Sequence, residues 1–411
     1  MSQPETRAES SSRAAIPSPR TSPEERAPQS SSSPPGPAAA APGFGWAAAG
    51  LAMGIYLGLR MIGVALVWHF ATDRHIDMQE QLGRWDAGWY AEIARHGYDL
   101  VVPIARNGGP GPSDLAFFPL FPGLIALVNP ILPGSATIAG IALAWLFGIV
   151  AAAGLYALGS LLRDRATGVL LAAAWAVIPH GWVESMGYAE TLFTALAAWS
   201  LYFVLRRQWL PAGLLCLLAG LTRPTSAALI AVVGISALVA VVRRPADWRA
   251  WTAGLLAPLG LLGYVAWVGD RLGRWDGYFY VQNKAWGLNY DHGGFTLHTV
   301  HRLLTYAGPL SLYVVAVVLV AALALLIILV VDRWPWQLWL YSAAVFAMAF
   351  FSADYFHAKG RQLVPAFALL LPVAYALAKA RRGVAVTVIG ALTLASAGYG
   401  VYLSLVWTGS P

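Results

Sequence analysis

Charge and sulfur are both scarce in this chain. Charged residues make up 11% of its 411 residues, and cysteine occurs once, at Cys216, inside an apolar run. A single cysteine excludes an intramolecular disulfide and a thiolate metal cluster. The usual phosphate and metal signatures are missing as well: there is no P-loop, no glycine fingerprint for a dinucleotide and no His-x-x-x-His pair. The net charge of +7 is not a nucleic-acid signal. Most of the Arg and Lys residues sit in short loops between apolar runs, where they set the orientation of a membrane protein.

What the chain has instead is apolar length. Hydrophobic residues account for 58% of it, in runs long enough to cross a hydrocarbon core of about 30 Å at about 1.5 Å per residue. The expected fold class is an all-α polytopic membrane protein of about 11 transmembrane helices, in one membrane domain over 44–411. Residues 1–43 are rich in Ser, Pro, Ala and Arg and nearly free of large apolar side chains. They are expected to form a disordered cytoplasmic tail. They do not read as a cleavable signal peptide, because no short apolar stretch with a cleavage site follows a basic start.

The expected spans are about 46–70, 135–162, 167–179, 188–205, 210–222, 224–242, 250–268, 306–331, 335–353, 361–379 and 383–407. Between the first two, the segment FFPLFPGLIALVNPILP is interrupted by Pro119, Pro122, Pro130 and Pro133. Its uninterrupted runs are too short to span, so it is expected to be an interfacial or re-entrant helix. With that reading, the basic loops at Arg163 and Arg165, Arg206 and Arg207, Arg243 to Arg249, Arg333, and Lys379 to Arg382 all fall on one side. The positive-inside rule makes that side cytoplasmic. The other side then holds 71–134, the turn 180–187, the turn at Arg223, the loop 269–305 and the turn 354–360. Asp86, Asp114, Glu184, Glu190, Arg223, Asp276, His357, Lys359 and Arg361 concentrate there. Arginines on that side need a local partner such as a carboxylate or a lipid phosphate. Arg60, within the first span, is expected to face the bundle interior.

The stretch that organises these features is 82–98, LGRWDAGWYAEIARHGY. It reads as a short helix with Leu82, Trp85, Trp89 and Ile93 on one face, lying in the membrane interface with its aromatic side down. Asp86 sits at the edge of that face, one turn before Tyr90. A carboxylate beside indoles at the water–lipid boundary can reach a lipid-borne and a soluble substrate together. The competing reading is an aromatic belt with a solvated Asp. The pentapeptide LGRWD recurs at 272–276, which makes Asp276 a second candidate carboxylate for acceptor or cation.

WDAGWYAEIARHGY, FFPLFP, ESMGYAETLF, LTRPTS and a late Arg before LVPAFALLLP occur in this order. Together they resemble the PIG-V type of mannosyltransferase, in the GT-C superfamily of polytopic glycosyltransferases. The likeness is strongest over about 80–230. It implies an enzyme, a hexosyltransferase moving a sugar, usually mannose, from a polyprenyl-phosphate carrier on the extracytoplasmic face of the plasma membrane. It also implies that Asp86 is the catalytic carboxylate and that Arg361 stands where the family has its late Arg-Tyr-x-x-x-x-Phe-Pro arginine. Gln362 and Ala368 replace the Tyr and the Pro of that stretch. The eukaryotic family assembles GPI anchors, whereas the Ala/Arg/Gly-rich composition fits a bacterial member, so the acceptor is left as a glycolipid or glycan.

The chemistry of such a reaction is undemanding at the leaving group, because a lipid phosphate departs as a stable anion. The attacking hydroxyl must lose a proton, for which one carboxylate base suffices. Asp86 is the expected base, made more basic by partial burial among Trp85, Trp89 and Tyr90. Arg223, Arg361 and Lys359 are the expected donor-phosphate ligands. Trp85, Trp89, Tyr90, Glu184, Glu190 and Asp276 are the expected substrate contacts. One base without a carboxylate nucleophile points to inversion. Glu190 alternatively caps its helix, Arg223 alternatively marks a turn before Pro224, and His96 and His357 read as loop residues. No cofactor is required, although a divalent cation is compatible; no nucleic-acid partner is expected. The rival class is a lipid or sugar transporter or flippase, which predicts paired broken helices near mid-membrane.

Overall fold

The computed structural model describes residues 45–106 and 108–411; the tail expected over 1–43 lies outside them. The described chain is almost wholly helical. Its elements are α1 (Trp46–Asp73), α2 (Met78–Leu82), α3 (Asp86–His96), α4 (Leu120–Val128), α5 (Ala136–Leu162) and α6 (Arg165–Ala176). These are followed by α7 (Glu190–Leu205), α8 (Trp209–Gly220), α9 (Ser226–Arg243), α10 (Trp248–Leu256), α11 (Leu259–Arg271) and α12 (Gly277–Tyr280). The last third contains α13 (Gly294–Thr305), α14 (Leu310–Val331), α15 (Trp336–Phe351), α16 (Lys359–Gln362), α17 (Leu371–Lys379) and α18 (Arg382–Leu405).

Each of the eleven expected spans coincides with helix. Among the described residues six helices are long and apolar enough to cross a membrane, α10 and α11 counting as one of them, or up to eight if two bent pairs are each one span. Three more, α7, α8 and α15, are apolar but shorter. As expected, the proline-interrupted segment makes only the nine-residue α4, too short to cross.

The long helices bury one face, on which small residues recur, and expose large apolar residues on the other. In α1, Ala49, Ala52, Tyr56, Arg60, Gly63, Val67 and Ala71 are buried at intervals of three or four, the spacing of one helical face. Leu51, Met61, Ile62 and Trp68 are exposed on the other side. A surface of this kind belongs in hydrocarbon, and small inward residues allow backbones to approach closely. Near the site α8 and α11 approach closely. A Cβ on Gly220 would lie 2.6 Å from the Leu261 nitrogen, so only glycine lets the end of α8 seat there.

Two expected spans are not straight. The helix expected over 167–179 ends at Ala176, and a 3-10 segment from Pro179 to Ser185 leaves it at 85°. The expected turn 180–187 is therefore buried throughout. The span expected over 361–379 is also broken, by 72°, between Phe356–Gln362 and Phe367–Lys379. Pro179 and Pro365 lack the N–H that a continuous helix needs at those points.

The basic turns gather at one end of the bundle. The Arg163 guanidinium lies 4.4 Å from the Trp334 ring and 4.8 Å from that of Tyr375, whose ring also carries Lys379 at 4.2 Å. A cavity joins Arg207, Arg243, Arg244 and Trp336 at the same end of their helices. At the other end, the connecting segments are tied to one another. Leu120 N–H donates to the Leu221 carbonyl at 2.9 Å, and Gly187 N–H to that of Leu82 at 3.1 Å.

Candidate active site

The site is assembled from backbone that the helices hand over at this second end. Ala116, Phe117 and Phe118 form its floor, in a segment, 113–118, that three aromatic donors fix through four hydrogen bonds. Trp286 Nε1 donates to the Ser113 carbonyl at 2.9 Å, and Tyr98 hydroxyl to that of Phe117 at 2.8 Å. The Tyr264 hydroxyl bridges the carbonyls of Leu115 and Phe117 at 3.1 and 2.7 Å. Asp114 is used locally: its Oδ2 accepts the Asp99 N–H at 2.8 Å, and burial raises its pKa. A two-residue antiparallel pairing, β1 (Asn289–Tyr290) with β2 (Ser352–Ala353), closes one edge. With an isolated bridge between Ile104 and Pro110, it is the β structure among the described residues.

Between these elements lies a cavity of about 760 Å³. Asp86 and Tyr90 of α3, Arg223 after α8, and Arg361 of α16 line it. Gln282 and Asn283 contribute from the π-helical turn Val281–Ala285 that continues α12, and Trp286 from its end. The opposite wall is apolar, made of Leu261, Leu262 and Val265 of α11 with Val345 and Met348 of α15. Leu262 is 56% exposed, so this wall continues into the apolar outer surface.

Four charged side chains run in a row along the polar wall. Arg361 Nη2 lies 2.8 Å from Asp86 Oδ2, and Arg361 Nε lies 3.2 Å from Glu190 Oε1. The same Glu190 oxygen forms a direct ion pair with Arg223. Glu190 is 1% exposed and stands at the first position of α7, where the helix dipole also favours a carboxylate. Two guanidinium groups are thus held side by side by one shared carboxylate, and their charges cancel against Asp86 and Glu190. Arg361 is further packed on the Tyr188 ring at 5.1 Å, and its Nη1 is buried with no hydrogen-bond partner among the described residues. Gly360, which precedes it, is pressed against the His180 ring so closely that no Cβ fits.

The row accounts for some of the residues singled out by the sequence and leaves others elsewhere. Asp86, Tyr90, Arg223 and Arg361 line the cavity, and Glu190 stands directly behind the two arginines. Asp86 is surrounded differently from expectation: an ion pair with Arg361, not an indole cage, is its main contact. Trp85 precedes the helix at φ +58°, a strained backbone for a bulky residue, and is 41% exposed. The buried face of α3 is therefore Ala87, Tyr90, Ala91 and Ile93, shifted from the expected Trp85–Trp89 stripe. Trp89 supports the site from behind, stacked on Phe117 at 5.7 Å and edge-on to Trp286 at 5.5 Å.

Glu184 does not reach the cavity. It is 1% exposed and lies 4.0 Å from Arg60, which donates to Ser185 Oγ at 2.8 Å and to the Ala176 carbonyl at 3.1 Å. Arg60 thus faces the bundle interior, as expected, and takes Glu184 as its counter-charge. Lys359 does not reach the cavity either. Its ammonium donates to the Ala349 carbonyl at 2.7 Å and to Ser352 Oγ at 3.0 Å, closing the C-terminal end of α15. Asp276 lies at the surface, gripped by Arg274 through bonds of 2.7 and 3.0 Å that hold its carboxyl below the ordinary range.

The cavity residues that sequence reasoning passed over are Tyr278, Gln282, Asn283, Trp286, Tyr290 and Tyr355. The signal for the first four was the run YFYVQNKAW at 278–286, unusually rich in rings and amides for an inter-span segment. Among the described residues no three His, Cys, Asp or Glu side chains are grouped to hold a metal ion.

No family model matches the sequence, and no curated protein matches it. Among solved structures, the crystal structure of ArnT from Cupriavidus metallidurans bound to undecaprenyl phosphate is similar at 16% identity and a TM-score of 0.47, over 74% of this chain and 57% of that one. The crystal structure of the Archaeoglobus fulgidus oligosaccharyltransferase in the apo form is similar at 12% identity and a TM-score of 0.46, over 86% of this chain and 56% of that one. The chain thus spans little more than half the length of either structure.

Proposed function

We propose that this chain is a GT-C-type membrane glycosyltransferase, resembling the PIG-V mannosyltransferases, that moves a sugar from a polyprenyl-phosphate carrier to an acceptor hydroxyl. One observation carries the reading: a carboxylate and two arginines from three distant segments line a single cavity whose facing wall is apolar and runs out to the lipid-facing surface. That combination suits a ligand with a charged phosphate, a polar sugar and a hydrocarbon tail. The aromatic rings of Tyr90, Tyr278 and Trp286 offer faces for the sugar.

In this proposal the donor phosphate takes up the free Nη1 of Arg361 and competes with Asp86 and Glu190 for the two guanidinium groups. Asp86 is thereby released towards the acceptor. The acceptor oxygen attacks the anomeric carbon as the bond from that carbon to the phosphate oxygen breaks. The electron pair stays on the phosphate, which leaves as a monoester, and the hydroxyl proton passes to Asp86. Arg223 and Arg361 balance the charge that grows on the leaving phosphate. With no second carboxylate placed as nucleophile, attack from the opposite side inverts the anomeric centre. Mannose as the sugar rests on the resemblance. The extracytoplasmic face of the plasma membrane as the location rests on the basic turns at the far end of the bundle.

The test is an assay of membranes containing the chain with radiolabelled polyprenyl-phosphate-mannose, followed by identification of the labelled product. Mannosylated product that disappears with Asp86→Asn supports the proposal; no transfer from any polyprenyl-phosphate sugar ends it. A transporter reading draws on the two bent helix pairs, which pack against each other through α6 and α17. It predicts movement of labelled lipid between leaflets of proteoliposomes without a new glycosidic product.

A further inference from the structure

The helices that carry the charged row also lead away from it to a second cavity. α7 begins at Glu190 and ends near Arg207; α9 begins beside Arg223 and ends at Arg243; α15 ends at the first cavity and begins at Trp336. At about 1.5 Å per residue these helices put the two cavities roughly 25 Å apart along the bundle. The second cavity measures about 590 Å³. Nothing in the proposed transfer reaction uses it.

Its rim is basic. Arg207, Arg243 and Arg244 line it against one carboxylate, Asp247, so three positive charges face one negative. Among the described residues none of the three guanidinium groups has a hydrogen bond or ion pair. Inside the rim, Ser236 is 5% exposed, and its Oγ is buried without a hydrogen-bond partner. That hydroxyl is closed off like those of Ser226, Ser311 and Ser342, so the arginines of the rim, and not the serine, are what this pocket offers a ligand. Ser236 lies two turns inside Arg243, which sets the depth of the cavity at about 10 Å. Trp209 and Trp336 complete the walls as indoles at the helix ends, the level of the membrane interface.

The geometry points to a second, non-catalytic binding site for the phosphate headgroup of an anionic membrane phospholipid. Positive charge at this end of the bundle would follow from membrane orientation alone. Orientation does not account for a pocket inside the arginine rim. The lipid is favoured over a free anion by what lies beside the rim: Leu238, Val239 and Val242 of α9 are exposed, and Val239 is itself part of the lining. Acyl chains would lie along that face while the phosphate enters between the arginines. The site is independent of the proposed transfer reaction and stands or falls separately.

The test uses the full chain purified in a neutral detergent and titrated with fluorescent short-chain phosphatidylglycerol, with phosphatidylcholine as the comparison lipid. Wild-type protein is expected to bind the anionic lipid in preference. Arg243→Gln/Arg244→Gln removes two rim charges, expected to lower affinity roughly 30-fold. Arg381→Gln/Arg382→Gln removes the same charge from another turn at that end and is expected to change it little. Equal losses in the two double variants would mean general attraction to a basic surface and would overturn the site, as would no loss in either. Complete displacement of the lipid by millimolar inorganic phosphate would overturn the lipid as the occupant.

Discussion

The Arg361 guanidinium and the Asp86 carboxylate come from opposite ends of the sequence and form an ion pair of 2.8 Å on the wall of the larger cavity. Behind them Glu190 binds Arg361 and Arg223 together. The consequence is a site that is electrically balanced before any ligand enters, with its arginines already desolvated and oriented. Such preorganisation is what stabilises charge developing on a leaving group.

Asp86 and Asp276 end identical pentapeptides but have different partners. Asp86→Asn keeps the shape and cannot accept a proton, so transfer is expected to fall by roughly 10²–10⁴. Asp276→Asn breaks only a surface pair with Arg274 and is expected to leave the rate nearly unchanged. Initial rates with equal amounts of membrane-inserted protein decide this. Wild-type activity in Asp86→Asn would remove the base from the mechanism.

Arg361→Gln and Arg223→Gln are expected to raise KM for the lipid-phosphate donor, because each removes a charge-assisted contact to phosphate. Lys359→Met is expected to behave oppositely, leaving donor KM alone and lowering the thermal unfolding temperature. Its ammonium bonds only the end of α15, and hydrogen bonds to a charged group are worth about 1.5–3 kcal/mol. A donor KM effect at Lys359 matching those at the arginines would contradict this division.

Gly360→Ala tests how Arg361 is held. A methyl group there meets the His180 ring, which is 2% exposed and has little room to withdraw. The variant is expected to displace α16 and reduce transfer although no cavity side chain is altered. His180→Ala in the same chain opens that space and is expected to restore part of the activity. Failure of the second change to restore any activity would point to another cause.

Orientation can be read by thiol labelling, since the native Cys216 is fully buried and gives no background. Leu100→Cys, at 76% exposure on the site end, is expected to react with an impermeant maleimide added to whole cells. Ala246→Cys, in the turn after α9, is expected to react only after the membrane is opened. The reverse pattern would put the site on the cytoplasmic face.

The sequence by itself determined the helical membrane class, the eleven helical segments and the shortness of α4. Those features depend on local quantities: the length of an apolar run, the position of a proline, the sign of a loop. It also marked Arg223 and Arg361 as residues needing partners, because charge beside apolar helices is costly when unpaired, and Asp86 and Glu190 as candidate site carboxylates. What it left open is which charge answers which. Glu184 and Glu190 are six residues apart in one motif, yet the 85° bend after Ala176 turns Glu184 to Arg60 and leaves Glu190 to the two arginines. The two LGRWD copies are identical in sequence. Only the tertiary structure brings Arg361 to one and leaves the other on its own neighbour, Arg274, because ion pairing depends on distance in space and the chain carries no local record of it.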